Sequence, residues 1–145
     1  VYKGIDTSSQ GYEIEAAGQV LPSVKMGAGY TAISVRTAEG EIARTYVPKH
    51  LFNLSTTWQA LPALDLGARL RWRGDTHRDE TATVVTKQDA YALLDLTARY
   101  AFTRQFSARI NVNNVTDEKY LSSLYWSQAY YGAPRSASLT LDWKY

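Results

Sequence analysis

Arg135-Ser136-Ala137-Ser138-Leu139-Thr140-Leu141-Asp142-Trp143-Lys144-Tyr145 alternates without a break. Successive side chains of an extended strand point to opposite sides, so Ala137, Leu139, Leu141, Trp143 and Tyr145 share one face. Ser136, Ser138, Thr140, Asp142 and Lys144 share the other. An aliphatic face that ends in an aromatic pair, backed by a polar face, suits a strand with lipid on one side and water on the other. The stretch predicts an all-β, antiparallel, up-and-down transmembrane β-barrel, with the aromatics at headgroup level and the polar face toward a wet lumen.

Six further segments repeat the pattern, over residues 12–20, 24–32, 52–58, 64–73, 94–102 and 106–113. In 64–73, for instance, Leu64, Leu66, Ala68, Leu70 and Trp72 oppose Asp65, Gly67, Arg69, Arg71 and Arg73. A span of roughly nine to eleven residues crosses a bilayer at a tilt. The connections alternate in length. Leu21-Pro22-Ser23, Ala60-Leu61-Pro62-Ala63 and Thr103-Arg104-Gln105 are tight turns, whereas 36–49, 74–89 and 117–134 are long and polar. Short turns on the periplasmic side and long loops outside are the sidedness of outer-membrane barrels, which puts the C-terminus in the periplasm. Residues 1–10 then read as the tail of a fourth outer loop. Bacterial single-chain barrels have an even number of strands, from eight upward, so a count of seven points to part of a larger barrel. The alternative is a stand-alone eight-stranded barrel with a structural or adhesive role, which would have to force 1–8 into a strand despite Lys3, Gly4 and Asp6.

Composition agrees with a barrel wall. No window approaches the ~20 apolar residues of a membrane helix. The 11 Tyr and 4 Trp outnumber the 3 Phe, the balance that interfacial aromatic girdles use. A net charge of +2 is too small to argue for nucleic acid, and the lack of Cys excludes disulfides and thiolate sites. No nucleophile elbow or triad pattern is present, so no enzyme is expected. A soluble β-sandwich or ligand-binding barrel would need polar outer strand faces, and here one face of every span is aliphatic. Val1-Tyr2-Lys3-Gly4 is not the opening of a signal peptide, so the expectation is an exported parent whose N-terminal part is not in this sequence.

Particular motifs then carry a resemblance. Ser9-Gln10-Gly11-Tyr12-Glu13-Ile14-Glu15, Val47-Pro48-Lys49-His50-Leu51-Phe52-Asn53-Leu54 and Tyr91-Ala92-Leu93-Leu94-Asp95-Leu96-Thr97-Ala98-Arg99-Tyr100 are three strand openings. Asn111-Val112-Asn113-Asn114-Val115-Thr116-Asp117-Glu118-Lys119-Tyr120 and Tyr131-Gly132-Ala133-Pro134-Arg135 flank the last loop. In this order, at one-strand spacings, they resemble the C-terminal part of TonB-dependent siderophore receptors over nearly the whole chain. The resemblance implies that 1–145 is the C-terminal part of a barrel of about 22 strands, supplying its last strands but not the plug domain. It implies a Gram-negative outer-membrane receptor for a ferric siderophore. Iron arrives already chelated, so neither a cofactor nor a metal site of the protein's own is implied. Implied partners are outer-membrane lipid, the plug and TonB through the missing N-terminal part, and the barrel assembly machinery. That machinery would read the final strand through Leu139, Leu141, Trp143 and Tyr145, where the family usually ends on Phe.

Two groups stand out as functional. Tyr120, Tyr125, Trp126, Tyr130 and Tyr131 crowd the last loop, spaced by Ser122, Ser123, Ser127 and Gln128. Aromatic, Ser-spaced loops on a rigid scaffold suit an amphipathic ligand, and Tyr125, Trp126, Tyr130 and Tyr131 are the expected contacts. The competing reading makes these rings girdle or loop packing. Arg69, Arg71 and Arg73 form a lumen-side stripe that would draw anions inward, or pair with Asp95 and with plug carboxylates. His77-Arg78-Asp79-Glu80 lacks the spacing of a transition-metal site and reads as a solvated polar loop.

Overall fold

A computed structural model describes residues 6–79, 85–125 and 128–145, and every regular element among them is a strand. In chain order these are β1 (Thr7–Leu21), β2 (Val24–Thr37), β3 (His50–Leu61), β4 (Leu64–Arg73), β5 (Thr76–Asp79), β6 (Val85–Gln88), β7 (Tyr91–Ala101), β8 (Phe106–Asn113), β9 (Leu121–Tyr125), β10 (Gln128–Tyr131) and β11 (Ser136–Trp143). Seven of them make one antiparallel sheet in the order β1-β2-β3-β4-β7-β8-β11. These are the seven spans that alternation marks. Among the described residues the sheet is open, with β1 and β11 at its edges, and no eighth span joins it, as the closed eight-stranded alternative would require.

Register follows the apolar pattern through every pairing. Ala28 stands opposite both Ala16 and Leu54, Leu54 opposite Leu70, Leu70 opposite Leu94 and Leu96 opposite Val112. Ile110 stands opposite Leu139 and Ala108 opposite Leu141. A slip of one residue would turn each set over to the polar face, so one apolar face fixes all six pairings at once. That face is banded. Tyr12, Tyr30, Phe52 and Trp72 cross it near the long connections, and the Tyr12 and Tyr30 rings lie 6.0 Å apart. At the tight-turn end Tyr100, Phe102, Phe106 and Trp143 run ring to ring, at 4.9, 5.2 and 5.7 Å. Aliphatic side chains fill the space between the two belts. They are exposed there, Leu139 at 65% and Ile14 at 64%.

Three details depart from the alternation reading. β1 begins at Thr7, so residues 7–10 are strand rather than loop tail. Gly11, the next residue of β1, has no room for a Cβ, which would overlap the backbone oxygen of Ala32. Second, 74–89 and 117–134 are not plain loops: β5 pairs with β6 and β9 with β10. Connections of this length acquire structure of their own, since a long loop without any leaves backbone groups unpaired. Third, β11 stops at Trp143. Lys144 still donates its N–H to Gln105 O at 2.9 Å, and the Tyr145 side chain stands fully exposed beyond it.

Candidate functional site

At the long-connection end, β8 stops at Asn113 and the chain turns through two left-handed residues, Asn114 (φ 49°) and Asp117 (φ 55°). Asn and Asp tolerate that conformation better than other residues with a Cβ. Both side chains then fasten the turn to the chain that returns 18 or 19 residues later. Asn114, 4% exposed, donates Nδ2–H to Ala133 O (3.1 Å) and Glu118 O (2.9 Å), and its Oδ1 accepts from Glu118 N–H (2.9 Å). Asp117 Oδ1 accepts the N–H of Arg135 at 2.9 Å. Gly132 donates its N–H to Tyr120 O at 2.8 Å, and a Cβ on Gly132 would overlap the Tyr120 ring. Tyr120 in turn stacks on Tyr91 with centroids 4.5 Å apart. The two motifs that flank the last loop are therefore halves of one clasp.

The clasp sets β9, paired with β10, at the loop end of the sheet, where β9 meets Arg73, Tyr91 and the other connections. His77 donates its N–H to Thr45 O at 3.1 Å, joining β5 to the 38–49 connection. Leu121 donates its N–H to Gln88 Oε1 at 2.6 Å, joining β9 to β6. Leu93 (4% exposed), Leu124 (5%) and Thr76 are buried between these pieces, with Tyr91. The Arg78 guanidinium lies over two rings, 4.8 Å from the Tyr46 centroid and 5.9 Å from that of Tyr125. The polar face, expected to be wet throughout, thus has a small apolar core at this end. Tyr91 and Leu93 extend β7 beyond its alternating part, and the Tyr120 ring stacks on Tyr91.

Of the expected ligand contacts, Tyr125, Tyr130 and Tyr131 are exposed, Tyr131 at 81%. Trp126 and Ser127 lie outside the described residues, as do Glu80 and 1–5. The arginine stripe separates into three situations. Arg71 pairs with Asp95 at 2.8 Å. Arg69 stands directly opposite Asp95 in register but makes no ion pair among the described residues. Asp95 accepts the Asn114 N–H at 3.0 Å on its other oxygen, which turns the carboxylate toward the loop end and toward Arg71. Arg73 faces Tyr91. Further along the polar face Arg99 reaches Asp65 at 3.6 Å while standing opposite Arg109. A cavity of about 510 Å³ is lined there by Ser55, Asp65, Arg69, Thr97, Arg99 and Arg109 among others. Among the described residues no three His, Asp or Glu side chains gather as metal ligands.

The sequence alone did not single out Tyr46, and it offered Arg78 only as part of a solvated polar loop. Each is an ordinary loop residue until the fold stacks them, and Arg78 belongs to strand β5 rather than to a solvated loop. Asn114, Asp117 and Gly132 were visible as motif positions, but their bonding was not.

An antiparallel sheet whose apolar face is banded by two aromatic belts, with tight turns at one end and structured connections at the other, is the wall of a transmembrane β-barrel. Residues 1–115 match the family model described as TonB dependent receptor-like, beta-barrel. The chain belongs to the TonB-dependent receptor family. It is 33% identical to the ferripyoverdine receptor of Pseudomonas aeruginosa, over 99% of this chain and 19% of that protein. It is 30% identical to the catecholate siderophore receptor Fiu of Escherichia coli, over 92% of this chain and 19% of that one. The crystal structure of the Pseudomonas aeruginosa outer-membrane receptor bound to ferripyoverdine superimposes with a TM-score of 0.90 at 34% identity, covering 98% of this chain and 20% of that chain. The chain thus spans about a fifth of the length of the relatives it matches, and those relatives are receptors rather than enzymes.

Proposed function

We propose that this chain is the C-terminal wall and loop segment of an outer-membrane receptor that imports a ferric siderophore, energised through TonB. In this reading the apolar face meets lipid, the tight turns and the C-terminus face the periplasm, and the clasped connections lie outside. A plug domain, contributed by another part of the receptor, fills the space over the polar face. There Arg69 and Arg109 offer cations to its carboxylates. Leu139, Leu141, Trp143 and Tyr145 present the strand that the barrel assembly machinery reads. Iron is cargo, carried in by its chelator.

One observation carries the reading: Tyr125, Tyr130 and Tyr131 are exposed on strands clasped to the rigid wall by Asn114 and Asp117. Large rings held ready cost little ordering entropy on binding, which is what an amphipathic chelate needs from its receptor. Siderophore receptors as relatives over nearly all of the chain support the same ligand class. The test is siderophore binding to whole cells, normalised to surface-exposed receptor. Tyr131→Ala and Trp126→Ala are expected to weaken binding with the folded amount unchanged. Intact normalised affinity in both variants overturns the reading and makes the rings scaffold.

A further inference from the structure

Arg78 sits where three connections meet. Tyr46 comes from the 38–49 connection, Arg78 from β5 and Tyr125 from the end of β9. A guanidinium is planar and stacks on aromatic faces, whereas a lysine ammonium is a point charge on a flexible stem. The neighbouring bonds are peripheral to it: His77 N–H to Thr45 O on one side, and Leu121 N–H to Gln88 Oε1 on the other. Arg78 reaches both Tyr46 and Tyr125.

We propose that Arg78 is a positioning residue for ligand capture, holding the Tyr125 ring and the 38–49 connection as one body so that the aromatic surface is organised before the ligand arrives. The inference rests on the proposed function, because it gives Tyr125 a ligand to meet. Two consequences separate it from a general electrostatic pull on an anionic ligand. Charge alone does not serve, so Arg78→Lys behaves like Arg78→Met. The effect also runs through the rings, so Tyr46→Leu reproduces it from the side away from Tyr125. Tyr125→Ala removes any further effect of Arg78.

The experiment uses the full-length receptor in detergent, in variants first matched for folded amount by heat-modifiability. Backbone hydrogen exchange is followed over 38–49 and 121–125. Arg78→Met, Arg78→Lys and Tyr46→Leu are each expected to speed exchange in both segments by about five- to thirty-fold, the range a cation–π contact of this kind supports. The double variant Arg78→Met/Tyr46→Leu goes no further than Arg78→Met alone, since Tyr46→Leu removes one of the two ring contacts that Arg78→Met removes together. Ferripyoverdine and a ferric tris-catecholate serve as ligand probes. For whichever binds, affinity falls by a similar factor in Arg78→Met and Arg78→Lys, with no added loss in a Tyr125→Ala background. Unchanged exchange in Arg78→Met overturns the proposal, as does Arg78→Lys with unmodified exchange and affinity. Failure of both probes to bind the unmodified receptor counts against the proposed function instead, and exchange still decides on Arg78.

Discussion

Across β3, β4 and β7, Leu54, Leu70 and Leu94 stand side by side, and the neighbouring rows repeat the same kind of contact in every pairing. At the loop end nothing repeats. Asn114 alone satisfies two carbonyls and an N–H, Asp117 captures one more N–H, and Gly132 leaves room for one ring. The wall is held by many interchangeable contacts, so it tolerates exchange of one aliphatic for another and resists only what breaks the pattern. The loop cluster is held by a few bonds that no neighbour duplicates. Redundancy makes the wall robust, and its absence makes the cluster a place where single substitutions act and where function can be altered without unfolding.

The largest expected effect strikes the wall through its pattern. Leu96→Arg puts a charge on the lipid face and is expected to cost about 2–4 kcal/mol near the midplane, whereas Thr97→Arg, one residue along, points to the polar face and is far milder. Heat-modifiability of the full-length receptor on gels compares the two. Equal damage would mean that the faces are assigned wrongly and that the wall is not held as described.

Next comes the clasp. Asn114→Ala strands buried backbone groups and loses a side chain suited to φ 49°, so opening of the loop cluster should become easier by about 1–3 kcal/mol. Asn114→Gly removes the bonds but relieves the backbone, and should lie between that variant and the unmodified protein. Protease nicking within 117–134 reports the opening, while heat-modifiability stays normal. Simultaneous loss of the folded barrel would show that wall and cluster are one cooperative unit, contrary to the comparison.

A third pair sets assembly against binding. Deleting Tyr145 is expected to lower the amount of folded receptor and leave siderophore affinity per folded molecule unchanged. Trp126→Ala should do the reverse, weakening affinity by about 1–3 kcal/mol at an unchanged folded amount. Whole-cell binding normalised to surface-exposed receptor separates the two, and a shared phenotype would erase the distinction between strand and loop.

The smallest effect sharpens the boundary between the regions. Arg71→Met deprives Asp95 of its ion pair next to the Asn114 N–H and should loosen the cluster by about 1 kcal/mol, since the pair is only partly shielded. Arg69→Met removes a cation without an ion pair among the described residues and should stay within about 0.5 kcal/mol. Hydrogen exchange at residues 93–95 and 114–118 reads both variants, and an effect of Arg69→Met equal to that of Arg71→Met would refute the division of the stripe.

What the amino-acid sequence determined by itself was the wall. Alternation has a period of two and each strand declares its own faces, so Leu139, Leu141 and Trp143 were legible without any knowledge of Ile110, Ala108 and Phe106 beside them. Strand order followed because each span pairs with the next through a turn or a closed connection, and register followed because only one register keeps the faces matched. The motifs around Asn114, Asp117 and Gly132 were also legible, though as letters at a spacing and not as bonds. The split of the arginine stripe, the apolar core over Tyr91 and Leu93, and the stacking of Arg78 on Tyr46 and Tyr125 belong to the tertiary structure alone. Each depends on groups tens of residues apart meeting at one end of the sheet, and no local periodicity encodes such a meeting. Three connections become one surface only when the paired strands beneath them bring their ends together.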